Sequence, residues 1–461
     1  MGEQAPGSTT VPSSLPPEPA SYSHEWVVSP NGNDTAAGTQ QAPLRTISRA
    51  ISLAKPGHLI RVLAGTYAER IVLDGSATAG TAGAPITLKG EGKPRLVPNG
   101  QAGAQVAVER PYWVIRGFDV DMQGRAAFPV YFAGDVTGSV LADSEVHHAN
   151  YGAGVSFHRN ADGATVENNH IHDIVISGDD AHGVLVQPTV KNITIRNNVI
   201  HGNSGDGIQC YAPDGSVPEV QASNVLIEGN DVYGNHEQSL DIKSCKDLVV
   251  RHNRMHDNEV RGNGAVVVHM SASNILIEDN DLYNSGVGIG VGGIRFGPVP
   301  TGVVIQRNRF YDMHTTGGWE GGGVHLENSE SAQVLNNTFT RLPGPAISAG
   351  GGDGGPTSNL MARNNLFDVA NAVKVGSQAP GLKMDNNLYR PGATFQSGSN
   401  KMNLSQWKAT GQDAASQEGD AQLDPDTLAP RGSAAIDHGE RLGLDKVCGS
   451  APDIGAVETG C

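Results

Sequence analysis

The chain predicts an all-β fold, a right-handed parallel β-helix with a short N-terminal helical cap. A recurring phrase, its elastic period and the brevity of its segments carry that expectation. The phrase is a short apolar alternation, then Asn, one residue, and a large apolar residue, as in ATVENNHI, ITIRNNVI, VLIEGNDV and ILIEDNDL. Its asparagines are Asn169, Asn198, Asn230, Asn253, Asn280, Asn308, Asn337, Asn365 and Asn387, spaced 22 to 32 residues apart. A steady period with elastic loops marks a solenoid whose coils bury their apolar faces only against one another. Alternating segments of four or five residues between Gly, Asn and Asp turns leave no room for helices and read as strands.

Each element follows in chain order. Residues 1–24, rich in Ser, Thr and Pro, read as a disordered linker of the kind that follows a cleaved export signal; the stretch has neither the basic nor the apolar region of a signal peptide itself. PLRTISRAISLAKPG places Ile47, Ala50, Ile51 and Ala54 on one helical face and stops at Pro-Gly, which suits a cap over the open end of a stack. The β-helix then spans 25–392. Its Asn residues stack at one turn, and the apolar residue two later (Ile171, Ile200, Val232, Met255, Leu282, Phe310, Phe339, Phe367, Tyr389) points inward. The tail 393–461 loses the phrase, and SAAIDHGERL and APDIGAVE read as a distal cap.

Composition narrows the class. Among 461 residues there are 60 Gly without a G-X-Y period, which excludes collagen. No apolar run approaches a membrane span and no basic stripe suggests nucleic acid; the formal charge is −16. Four cysteines do not make a disulfide scaffold: Cys448 and Cys461 can close a loop in the tail, whereas Cys210 and Cys245, at different strand phases, are expected to be free. A secreted, periplasmic or cell-surface monomer is expected.

A β-helix displays functional residues on the outward face of one strand. Aligning the strand before each Asn phrase, from GVSFHR to GVHLEN, gives one outward column of Ser156, Leu185, Gln209, Asp241, Val267, Gly290 and His325. Two residues further on runs a second, His158, Gln187, Tyr211, Lys243, His269, Gly292 and Glu327. The second column brings Tyr211, Lys243 and His269 together at about 5 Å per coil, and from His158 to Glu327 it spans roughly 29 Å, a length suited to an extended polymer. Two other columns have bland readings: Glu167, Arg196, Glu228, Arg251 and Glu278 as a solvated charge ladder, and His172, His201, Tyr233, His256, Tyr283 and Tyr311 as a structural stack. SGDDAHG resembles the acidic and GHG elements of family 28 glycoside hydrolases, but those lie on separate coils and here they are adjacent, a coincidence.

The segment VSPNGNDTAAGTQQAPLRTISRAISLAKPGHLIRVLAGTYAERIVL, with GTAGAPITLKG after it, resembles the N-terminal part of secreted β-helix polysaccharide lyases, among them family 9 pectate lyases and family 6 alginate and chondroitin lyases. That resemblance implies a pectate-lyase-like solenoid and an outward catalytic Lys. DIKSC supplies Lys243, and VVVHM offers His269 where family 6 carries Arg. It departs at the family 6 calcium ligands, where Gln238 and His236 stand instead of acids; Asp180, Asp206 and Glu237 are the remaining candidates for calcium, and no other cofactor is expected.

The residue types fit β-elimination on a uronate. A desolvated Lys takes the C5 proton, His269 or Tyr211 gives a proton to the leaving O4, and calcium or a cationic side chain balances the carboxylate. His158, Gln187, Gln209, Asp241, His325 and Glu327 would line the subsites of an acidic polysaccharide. Against this stands a plain Asp241–Lys243 salt bridge. The rival activities are a C5-epimerase sharing the base and a non-catalytic glycan-binding solenoid. A hydrolase is disfavoured, because it needs carboxyl groups about 5–9.5 Å apart and Asp241 and Glu327 are three coils, roughly 14 Å, apart.

Overall fold

The computed structural model describes residues 21–213, 217–258, 264–292, 298–316, 318, 320–351, 355–443 and 447–461. Most of the expected linker (1–20), and parts of the turn loops 211–223 and 292–302 that would shape a groove, lie outside them. Two compact units divide the chain, Met1–Tyr211 with Glu219–Asn235, and Ala212–Pro218 with His236–Cys461. Each is a right-handed parallel β-solenoid, about 13 turns in all. The hand is the one crossovers between parallel strands adopt.

In the first unit each coil contributes three strands. One face runs Val106–Val108, Val130–Asp135, Ala153–Asp162, His182–Val186 and Ile208–Cys210, paired so that Val130, Val155, Val184 and Ile208 lie in one line. Another includes Trp113–Arg116, Val140–Ala142, Thr165–Glu167 and Lys191–Arg196, and the third Asp119–Asp121, Glu145–His147, His170–His172, Val199–His201 and Asp231–Tyr233. The helix Ile47–Leu53 buries Ile47, Ala50 and Ile51 as expected. Its first turn is held by Thr46, which accepts from the N–H of Arg49, and by the Glu69 carboxylate, which accepts from the N–H groups of Ile47 and Ser48 at 2.8 and 3.0 Å.

The second unit repeats the plan. Leu240–Ile242, Val266–Val268, Val287–Gly292, Gly322–Glu327, Ile347–Ala349 and Asn371–Val375 form its outward-reading face. Phe310, Phe339, Phe367 and Tyr389 stack inside with centroids 4.7 to 5.2 Å apart.

The phrase has a backbone cause. The residue before each ladder Asn takes a left-handed conformation (Asn168, Asn197, Gly229, His252, Asp279, Arg307, Asn336, Asn364 and Asn386, φ between 51° and 67°), a region that Asn, Asp and Gly enter most readily. The ladder Asn itself then turns inward. Its Oδ1 accepts both the backbone N–H and the side-chain amide of the Asn one coil before: Asn253 on Asn280 at 2.9 and 3.0 Å, Asn280 on Asn308 at 3.0 and 2.9 Å. Serine closes both ladders. Ser144 precedes Asn169, and Ser416 follows Asn387, whose N–H donates to the Ser416 hydroxyl at 2.8 Å.

The tail differs from expectation. The end of the second unit is covered by a second short helix, Leu404–Lys408, whose Trp407 stacks on Phe395 and donates from Nε1 to the buried Asp413 at 2.7 Å. SAAIDHGERL and APDIGAVE instead lie along the flank. Gly455 N–H donates to the Asn364 carbonyl and Ala456 N–H to Thr338 Oγ1, because these loops fill the gap beside the second-unit turns. Cys448 and Cys461 are bonded, with Cα atoms 5.3 Å apart. A Cys448→Ser, Cys461→Ser double variant is expected to expose Arg441 to trypsin roughly 100-fold faster, since closing a loop of this length contributes about 3 kcal/mol. Peptide mapping of a limited digest reads it, and an unchanged cleavage rate would show that the packing of Ile454 on Leu366 and Leu388 suffices.

Two expectations are corrected. Cys210 and Cys245 are both disulfide-bonded rather than free. Both side chains are buried, and strand phase fails as a guide because a disulfide accommodates Cα separations of about 4.4–6.8 Å. The charge ladder is not solvated at its start: Glu167 and Arg196 are 2% and 6% exposed and paired at 2.5 Å, a contact that offsets the cost of taking both ions out of water. The stacking column stands as expected, with His172 on His201 at 5.3 Å and Tyr283 on Tyr311 at 4.9 Å.

Candidate active site

The second unit gathers the central residues. Asp241 sits mid-strand in Leu240–Ile242, and Lys243 follows where the strand ends. One coil on, the His269 backbone N–H donates to the Ile242 carbonyl at 2.9 Å, so Lys243 and His269 occupy neighbouring rows as the column required. The His269 ring is 3% exposed and its Nε2 lies 2.6 Å from Asp241 Oδ1. Lys243 Nζ lies 3.9 Å from Asp241 Oδ2, beyond hydrogen-bond distance. The carboxylate is thus shared unequally, lying closer to His269 than to Lys243. His269 Nδ1 is buried with no hydrogen-bond partner among the described residues.

Further along the same face, His325 is in register with Gly290 on one side and Ser348 on the other. Its Nδ1 is 2.7 Å from Ser348 Oγ and its Nε2 is 3.8 Å from Glu327. Burial lowers the His325 pKa, which Glu327 partly offsets. A cleft of about 390 Å³ opens there, lined by Glu320, His325, Ser348, Lys374 and Gln396, with Lys374 Nζ 3.1 Å from both Glu320 oxygens. Ser348, Lys374 and Gln396 were missed. AISAG, AVKVG and ATFQS carry the same alternation as GVHLEN, and extending the column by three coils finds them.

In the first unit, His158 and Gln187 are half-buried on the predicted face, and so is Tyr211. Gln209 is buried, its amide donating to Asp206 Oδ2 at 2.8 Å. Asp206, fully buried, is also 3.3 Å from His182, and Asp180 is exposed. Neither belongs to a group of His, Asp and Glu side chains close enough to share an ion among the described residues. Two carboxylates, one of them already engaged, fall short of the roughly six to eight oxygens calcium takes. Glu237 lies in the second unit, half-buried.

His158 stacks on Tyr131 with centroids 5.1 Å apart, and its Nε2 lies 2.5 Å from Ser156 Oγ. Burial, with Arg159 nearby, pushes its pKa down to about 4. The sign is fixed. The unfolded chain, with His at about 6.5, binds the extra proton between about pH 6.5 and 4, so stability is complete above that window and falls as pH drops through it. Melting temperatures across the window are expected to fall less steeply for His158→Gln than for the wild type; parallel curves would contradict the assignment.

Fold and sequence together define the class. Residues 26–223 match the family described as Pel9A-like, right handed beta helix region, and residues 214–296 and 264–404 match a right handed beta helix region. The chain is similar to a pectate lyase, PEL9, of Emericella nidulans (26% identity over 230 residues, 49% of this chain and 50% of that protein). It is also similar to an uncharacterized protein, YwoF, of Bacillus subtilis (25% over 210 residues, 41% and 44%). It thus spans about half the length of the curated relatives it matches. Among solved structures, the PL6 family alginate lyase AlyGC superposes with a TM-score of 0.59 at 17% identity, over 89% of this chain and 55% of that one, a likeness of fold. No helix among the described residues is long and apolar enough to cross a membrane.

Proposed function

We propose that this protein is a secreted polysaccharide lyase, acting as a monomer on a uronic-acid-containing polysaccharide by β-elimination, with Lys243 as the base. The observation that carries the reading is the unequal sharing of Asp241. A Lys locked into a plain salt bridge would make the shortest contact to that carboxylate; here His269 makes it, at 2.6 Å against 3.9 Å for Lys243.

In the reaction, Lys243 takes the C5 proton, the electron pair forms the C4–C5 double bond, and O4 leaves with a proton from an acid. The buried His269 cannot reach a polymer, so its assistance is exerted through Asp241 as a positioning residue. Tyr211, which lies in the first unit, is assigned as proton donor from the outward column alone. His325 and Glu327, with Lys374 added, bind sugar in the second unit, and His158 and Gln187 are assigned to subsites from the column alone; Gln209, as buried as His269, is withdrawn from them. Of the residues the resemblance offers for calcium, Asp206 is buried and engaged with Gln209 and Asp180 is exposed, so the carboxylate counter-charge is assigned to a cationic side chain.

Incubation of the wild type with alginate, polygalacturonate, chondroitin, hyaluronan and heparosan, each with and without a chelator, tests the reading. Elimination yields an unsaturated product that absorbs in the ultraviolet. Inverted C5 without absorbance would reassign the site to epimerisation, and binding without turnover would make the protein a glycan-binding solenoid.

A further inference from the structure

The outward face of the third sheet in the first unit carries an unusual density of imidazole and carboxylate. Three successive strands, Glu145–His147, His170–His172 and Val199–His201, pair so that Glu145 lies opposite His170, and His172 opposite His201. Glu145, His170 and His172 each offer a ligand atom within 4.8 Å of the others. The His201 Nε2 lies 2.7 Å from the His170 Nε2.

Tautomers sharpen the point. His172 Nδ1 is 2.8 Å from Asp173 Oδ2, a hydrogen bond in which the ring must be the donor, since a carboxylate only accepts. In the neutral ring the other nitrogen, Nε2, is then a bare lone pair, and it faces Glu145 Oε1 at 3.4 Å. Lone pair against carboxylate is repulsive unless a proton or a metal ion sits between them. That separation is long for a hydrogen bond, but two ligands about 2.0–2.1 Å from a tetrahedral ion lie about 3.4 Å apart. The Asp173 contact is also the outer carboxylate that metal-bound imidazoles commonly keep on their far nitrogen. Lys93 Nζ, 3.2 Å from Oε2, holds the other Glu145 oxygen and leaves Oε1 toward the ring.

We propose that Glu145, His170 and His172, with solvent in the fourth position, bind a divalent transition-metal ion of the zinc type that staples two successive coils of the first unit. This site is independent of the Lys243 reading. Mixed imidazole and carboxylate donors favour zinc or cobalt over calcium, which takes oxygen alone. A native-state ligand of this kind raises the melting temperature by mass action.

The test is titration of chelator-treated, dialysed full-length protein with cobalt(II) and then zinc(II). The proposal expects the visible d–d absorption of tetrahedral cobalt to saturate at one equivalent and to be displaced by zinc. His170→Gln and His172→Gln should each abolish it, Asp173→Asn should weaken binding about 10–100-fold, and an Asp121→Asn, His148→Gln double variant, in the neighbouring cluster, should retain it. Metal-free melting curves identify any variant that fails to fold, and Glu145→Gln, which keeps the side-chain shape, then carries the test. Absence of a cobalt spectrum in the wild type, or binding undiminished in folded His170 and His172 variants, would overturn the proposal.

Discussion

Lys243→Ala is expected to lower kcat on the uronate polymer by about 10²–10⁴-fold, the usual contribution of a positioned general base. Loss of the amine removes the proposed base, since Asp241 is bonded to His269 and the His269 ring is buried. KM should change much less, because polymer binding is spread over the outward rows. Lys243→Arg keeps the charge but not the ability to deprotonate and should be nearly as inactive. His269→Ala should behave differently. Asp241 would lose its short partner and turn toward Lys243, so activity should fall and the pH–rate profile should shift to higher pH, whereas a purely structural His269 would leave the profile in place. A Lys243→Ala enzyme with wild-type kcat would remove the base from this assignment.

The second large effect falls on stability. Asn280→Leu should cost about 2–6 kcal/mol, because it strands two buried backbone groups at about 1–3 kcal/mol each. The Asn253 N–H loses the Asn280 Oδ1 it donates to at 2.9 Å, and the Val250 carbonyl loses the Asn280 amide at 3.0 Å. The bond to Asn308 Oδ1 goes too. A solenoid passes such a loss to neighbouring coils, since each coil is buried only by its neighbours. Chemical denaturation measures it, with Asn400→Ala on an exposed hairpin, expected within about 0.5 kcal/mol of wild type, as the control. Equal midpoints for the two variants would mean that the ladder is decoration.

The fold was legible because one turn imposes two demands at once. A left-handed residue must precede the ladder position, and an amide must follow that both donates and accepts along the stack. Asn168–Asn169 and Asn364–Asn365 meet both and recur visibly. The early coils were harder to read, because Ser144 replaces Asn at the ladder and the repeated phrase disappears while the hydrogen bond remains. The distal cap was misplaced for a related reason. Trp407 and Asp413 close the stack through one aromatic contact and one buried carboxylate, neither of which leaves a periodic trace.

At the site, alternation placed Asp241, Lys243, His269 and His325 on the outward strand face, since period two is a property of the strand itself. It could not rank them by exposure. His269 is enclosed while Lys243 is half-open, a difference that strand period does not encode. Nor could it pair the buried cysteines, whose bonds depend on side-chain direction more than on strand phase.

The most direct measurement is the initial rate of ultraviolet absorbance from unsaturated product, wild type beside Lys243→Ala, on whichever uronate polymer the wild type degrades. The account predicts a steady rise for the wild type and, for a variant that melts like the wild type, a rate at least about 100-fold lower. Equal rates, or no rise from the wild type on any of the five polymers, would contradict it.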